Sequence, residues 1–167
     1  MGALELSGRA RGSKPLVLNL RSVTSRTCGI DYGDARVGVA IEDELGALAH
    51  PRGVFAAHPE PKLFQELVKL ARESSVSRFV VGLPLDMKGG EGDAARKARA
   101  FAQRLADATG LEIELWDERL TTAEARRALS AAGLRERTKK RSGRSIRAHV
   151  DEAAAVALLQ SWLDAHR

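Results

Sequence analysis

The sequence predicts an α/β protein built on a mixed β-sheet flanked by helices. Three segments with strand patterning follow one another within residues 27–56, and helical and strand-like segments alternate from there to the C-terminus. Strands first and alternation afterwards is the order that such a layered arrangement needs. No internal repeat is visible.

Each element has its own signal. "TCGIDYGDARVGVAIED", residues 27–43, reads as a strand, a tight turn and a second strand, with Val37, Val39 and Ile41 alternating with smaller or polar residues. "GALAHPRGVFA" is a third strand, which Pro51 confines to an edge or a bulge. These three form an antiparallel meander. In "PEPKLFQELVKLARESS", Leu63, Leu67 and Leu70 have helical spacing, and Pro61 suits a first turn. "SRFVVGLPL" is a short continuous apolar run, as a central strand requires. The loop "DMKGGEGD" leads to the helix "AARKARAFAQRLADATG", which Gly110 is placed to stop. "LEIELWDE" is a strand with Leu111, Ile113 and Leu115 on one face. "TTAEARRALSAAG" is a helix opened by a capping box of Thr121 and Glu124. "AHVDEAAAVALLQSWLDAHR" is the last, amphipathic helix.

Composition bounds the function. At 167 residues, 44% hydrophobic and 29% charged, the chain has the make-up of one globular domain with a substantial core. It holds no apolar run near the ~20 residues of a membrane helix. Cys28 is the only cysteine, which excludes an intrachain disulfide and points to a reducing, cytoplasmic setting. The net charge of +5 points to a polyanionic partner. Residues 1–26 are rich in Arg and Ser and lack periodicity; a targeting peptide and an over-extended start both fit, and a disordered basic extension is the favoured reading. The folded domain is then 27–167. Leu6 stands where a myristoylation signal needs Ser or Thr. "RERTKKRSGRSIR", residues 135–147, carries seven cations, among them Lys139, Lys140, Arg141 and Arg144, against Glu136 alone. It reads either as a solvated loop or as a phosphate-facing one.

Asp31 directly follows Cys28, Gly29 and Ile30, at the end of an apolar run. A carboxylate there requires a cation, a hydrogen-bond network or water. Asp117 and Glu118 end the last strand, and Asp151 lies near the start of the final helix, on one face with Ala155, Leu158 and Trp162. Each has a structural reading: Asp31 in a turn with Gly33, Asp117 or Glu118 paired with Arg119 or Arg36, Asp151 at a positive helix terminus. Together they also suit the strand-end crevice where ligands gather in such sheets. Converging carboxylates repel unless a positive charge sits among them, and Mg2+ or Mn2+ is the natural one. Two such ions ~3.5–4 Å apart would activate a water and stabilise the leaving oxygen in phosphodiester hydrolysis.

"GIDYGDARVGVAIED", "VVGLPLDMKGGEGDAARKARAFAQRL", "WDERLTTAEA" and "VDEAAAVALLQSWL" together resemble the YqgF/RuvX-like nucleases of the ribonuclease H-like superfamily, from about residue 27 to the C-terminus. "GIDYG" alone also opens actin-like ATPases; the four segments in order are specific. The resemblance implies a ribonuclease H-like, five-stranded mixed sheet with flanking helices and an acidic site for divalent metal. It implies a nuclease in 5′-end maturation of pre-16S ribosomal RNA, with some relatives proposed as Holliday-junction resolvases. By match to the motifs, Asp31, one acid of "DER" and Asp151 are the implied metal ligands. Within "DER", strand alternation favours Glu118 over Asp117. Asp34 and Asp86 depart from the family pattern, which has a neutral or basic residue and Asn at those places.

Arg36, Lys88 and Arg96 join Lys139, Lys140, Arg141 and Arg144 as candidates for nucleic-acid binding. Arg36 would contact the scissile phosphate or neutralise Asp34. The glycines of "KGGEGD" would bind a phosphate through their N–H groups or, the favoured reading, form a turn capped by Asp93. The four histidines show no metal-ligand spacing, and His149 reads as a surface residue near Asp151. Two rival functions stand beside the nuclease. An actin-like ATPase would need a second lobe, for which the chain has no room. A non-catalytic RNA-binding assembly factor explains the basic run and leaves the acids without a purpose. RNA and branched DNA remain open as substrates, as do monomer and homodimer.

Overall fold

The structure is a computed structural model that describes residues 25–121 and 143–167, with side chains in the last helix from His149 onward. β1 (Arg26–Tyr32) and β2 (Arg36–Glu42) form the predicted hairpin. Its turn closes where the Gly33 N–H donates to the Arg36 carbonyl at 3.0 Å. The antiparallel register sets Ile30 opposite Val39 and Asp31 opposite Gly38. β3 (Ala49–Ala56) pairs with β2 and forms one edge of the sheet. Pro51 lies opposite Ala40 and Gly53 opposite Val39, with the register shifting between them. Pro51 is thus on an edge strand and beside a bulge, both places where its missing N–H costs no ladder bond.

α1 (Glu60–Glu73) buries Leu63, Leu67 and Leu70 as their spacing predicts. It leads to β4 (Val76–Leu83), which runs parallel to β1. α2 (Asp93–Thr109) ends at Gly110, whose φ of 67° is the left-handed conformation that glycine adopts without strain. β5 (Glu112–Asp117) lies parallel to β4 and continues into a short 3₁₀ turn, Glu118–Leu120. The sheet is five-stranded and mixed, in the order β3-β2-β1-β4-β5. The last helix, α3 (Gly143–Ala165), crosses the opposite face from α1 and α2.

Strand alternation sorts the core into two layers. Cys28, Ile30, Val37, Val39, Phe79 and Val81 meet α1 and α2 through Leu63, Leu67, Phe101 and Leu105. Full burial of side chains of this size stabilises by roughly 1.5–3 kcal/mol each. On the other face, Ala40 and Val80 meet Ala155, Val156, Leu159, Trp162 and Leu163 of α3. This layer is built from smaller sheet residues, so α3 lies close to the strands.

Three boundaries differ from the sequence reading. β1 begins at Arg26, a residue that the sequence places in the extension; its N–H donates to Ser75 at 3.0 Å and its guanidinium to Glu44 at 2.9 Å. α3 begins at Gly143 rather than after Arg147, so Arg144 belongs to the helix; arginine is a good helix former, and the density of positive charge did not prevent the turn. Asp93 does not cap α2. The cap is Gly92, without a side-chain bond, and Asp93 pairs with Arg96 one turn on. Residues 1–24, the helix expected after Thr121 and most of the basic run, with Lys139, Lys140 and Arg141, lie outside the described residues. Among the described residues, no helix is long and apolar enough to cross a membrane.

Candidate active site

β1, β4 and β5 run in the same direction, so their C-terminal ends share one edge of the sheet. Asp31 stands at the end of β1 and Glu118 directly after β5. Alternation gives them their face. Ile30 belongs to the layer under α1 and α2, so Gly29 and Asp31 face α3. Leu111, Ile113 and Leu115 pack on the α1–α2 layer, and Trp116 packs on the α3 layer. The Glu118 side chain then lies over Gly82, where an added Cβ would stand 2.6 Å from Oε1.

Glycine makes this edge passable. A Cβ on Gly29 would stand 2.7 Å from the Leu159 Cβ, and one on Gly38 would stand 2.8 Å from the Asp151 carbonyl carbon. α3 can therefore bring Asp151 down onto β2 only because Gly38, the partner of Asp31, has no side chain. Gly29, Gly38 and Gly82 are the residues that sequence reasoning missed. Their signal was present as small residues at alternate positions, but nothing in the sequence says which face a helix will cover.

Each acid has a distinct setting. Asp151 accepts a hydrogen bond from Arg36 Nε at 2.5 Å, and its carboxylate is 25% exposed. Asp117 takes another direction. It accepts from the Arg119 N–H at 2.9 Å and from the Arg119 guanidinium at 2.6 Å, and these bonds hold its carboxyl below the usual range. It opposes Leu83, on the α2 side of the sheet. The "DER" acids thus divide between two faces, Glu118 on that of Asp31 and Asp151, Asp117 away from it.

The cations partly rearrange the expected picture. Arg36 does not neutralise Asp34. That acid is held by Lys97, whose Nζ lies 2.9 Å from both carboxylate oxygens. Asp86 accepts from the N–H groups of Lys88 at 2.9 Å and Gly90 at 2.7 Å, which closes the glycine loop as a turn. Those two donors are spent on Asp86, which agrees with the turn reading of this loop. The Lys88 side chain is exposed beside it. Arg96 also binds the Glu91 carbonyl at 3.0 Å. Arg119 reaches over the same loop, with Nη1 3.5 Å from where a Cβ on Gly89 would stand. His149 is half-buried rather than on the surface, with Nδ1 3.4 Å from Glu152 Oε2.

The donor chemistry suits a hard divalent cation: Asp31, Glu118 and Asp151 offer carboxylate oxygens only, over a floor of glycines. They are brought to one face and one edge. Among the described residues, however, no three His, Cys, Asp or Glu side chains form a group that could hold an ion. At Asp151 the positive charge is supplied by Arg36.

Known proteins give this arrangement a family. The family profile described as "RuvX: Holliday junction resolvase" matches residues 25–165. Proteins named "Putative pre-16S rRNA nuclease" are close in sequence. One from Anaeromyxobacter sp. (strain K) is 43% identical over 139 residues, 83% of this chain and 96% of that protein. One from Myxococcus xanthus (strain DK1622) is 40% identical over 142 residues, 85% of this chain and 89% of its own. Among solved structures, T. thermophilus RuvC in complex with a Holliday junction substrate superposes with a TM-score of 0.54 at 13% identity, covering 85% of this chain and 95% of that one. At that identity the likeness concerns the fold, which is the ribonuclease H-like one. With the profile spanning nearly the whole described chain, this protein belongs to the RuvX family.

Proposed function

We propose that this protein is a divalent-metal-dependent endonuclease that cleaves phosphodiester bonds of precursor 16S ribosomal RNA. The observation that carries the reading is the common placement of Asp31, Glu118 and Asp151: one face, at the C-terminal edge of the parallel strands, in a chain about 40% identical to relatives named for that activity.

In this reading the three carboxylates hold Mg2+ or Mn2+, with Asp117 kept out of the set by Arg119. When bound, the ions lower the pKa of the attacking water and offset charge on the leaving oxygen. The chain's own contribution is position. Asp31 is fixed by the hairpin register, Glu118 by its seat on Gly82, and Asp151 by the contact of its backbone with Gly38. Arg36, Lys88 and Arg96 border this edge and the loop beside it, and with Arg144 and the basic run they would bind the phosphates flanking the cut. Attack by water forms a new P–O bond and breaks one ester P–O bond. The proton lost by the water passes to bulk solvent, and the departing ester oxygen takes one up to leave as a hydroxyl. Such a role places the protein in the cytoplasm with its RNA.

A monomer suffices to cut one strand, whereas resolving a four-way junction needs two sites, most simply in a twofold dimer. Cleavage of precursor 16S RNA and of a four-way DNA junction, assayed with one preparation in Mn2+, separates the two. RNA cleavage alone supports the proposal; junction cleavage alone would replace it with a resolvase; binding without any cleavage would leave an assembly factor.

A further inference from the structure

Arg36 occupies the first position of β2, two residues before Gly38 and on the same face. Its carbonyl closes the β1–β2 turn, two register steps beyond Asp31. Its guanidinium, 41% exposed, donates to the Asp151 carboxylate at 2.5 Å. Two neighbouring acids are matched elsewhere: Asp34 with Lys97, and Asp117 with Arg119. Arg36 is paired with the helix-borne acid of the site.

Such a pair is strong enough to orient a carboxylate and too weak to hold it against a divalent ion, because half-exposed ion pairs contribute little. A guanidinium released at this edge keeps its charge and its planar fork, which matches a phosphate. We propose that Arg36 is a positioning residue with two states. Without metal it is the counter-ion of Asp151. Once a divalent ion takes that carboxylate, Arg36 turns to a phosphate of the substrate. The inference rests on the nuclease reading above and adds an exchange of partners to it.

The test is a Mn2+ titration of the whole protein, followed by the paramagnetic resonance of free Mn2+. Arg36→Gln removes the competitor and should bind Mn2+ about two- to fivefold more tightly than the wild type, the range that a pair of this exposure allows. The same variant should bind single-stranded RNA in Ca2+ more weakly, with its salt slope reduced by about 0.7, the share of one phosphate. Arg36→Lys, which keeps a compact charge, should lie between the two in Mn2+ affinity and serves if the glutamine variant does not fold. Unchanged or weaker Mn2+ binding in these variants overturns the proposal, as does an unchanged salt slope. A wild-type protein that takes up no Mn2+ overturns the metal-dependent nuclease reading as well; wild-type uptake without the gain in Arg36→Gln overturns only the exchange.

Discussion

Arg36 and Asp151 are separated by 115 positions in the chain and by 2.5 Å in space. The contact joins the first residue of β2 to the third turn of α3, and so ties the helix that covers this face among the described residues to the hairpin that carries Asp31. Charge at this place, rather than shape, is what the proposed chemistry needs. Asp31→Asn and Asp151→Asn are therefore expected to abolish cleavage while leaving RNA binding largely intact. Because the Arg36–Asp151 pair is partly exposed, Asp151→Asn should change stability by no more than about 1 kcal/mol. Cleavage assays, RNA titration and thermal melts on both variants check this; full activity in chelator would sink the metal reading.

The two acids of "DER" should behave differently. Glu118→Gln is expected to cost more activity than Asp117→Asn, since Glu118 lies over Gly82 on the face of Asp31 and Asp117 turns to Arg119. Asp117 should matter to stability instead. The Arg119 bonds lower its folded-state pKa, so their contribution is complete above the ordinary carboxylate value of about 4 and is lost as pH falls through the lowered one. The melting temperature of Asp117→Asn should thus fall below that of the wild type near neutrality and converge with it in acid. A gap that widens in acid would contradict the sign, and an inverted activity order would mean that the faces are misassigned.

Gly38→Ala should be destabilising. Its Cβ would meet the backbone of Asp151, which cannot swing away as a side chain can, so α3 must lift from β2. Overpacking of this kind costs about 1–3 kcal/mol. It should also lower activity by moving Asp151. Gly92→Ser is the control: it stands at the N-cap of α2 with nothing within 4 Å, and should be neutral or gain a few tenths of a kcal/mol. Equal melting temperatures for the two variants would show that α3 does not depend on this contact.

Replacing Lys139, Lys140 and Arg141 with alanine should weaken binding to all RNA sequences alike. The salt slope should flatten by about 0.7 for each phosphate that is no longer neutralised. Turnover at saturating substrate should fall much less, because these residues are not among the proposed ligands. Filter-binding titrations over a range of salt concentrations measure both; an unchanged slope would show the run to be a solvated linker.

The sequence alone determined the elements and their faces. Val37, Val39 and Ile41 declare a strand and one of its faces, though the half-buried strand this alternation suggests is buried on both sides once α3 covers Gly38 and Ala40. Leu63, Leu67 and Leu70 declare a helix, and the step from Leu115 to Glu118 separates the "DER" acids, because periodicities of two and about 3.6 are carried by neighbours in the chain. Family motifs in the same residues named the candidate ligands. What neighbours cannot carry is which distant groups meet. That Lys97 takes Asp34, that Arg36 is left for Asp151, and that Gly29, Gly38 and Gly82 clear the way for α3 and Glu118 depend on how a helix settles on a finished sheet. The strength of an ion pair and the clash of a Cβ both vary over a few tenths of an ångström to a few ångströms. Only tertiary packing sets distances that fine.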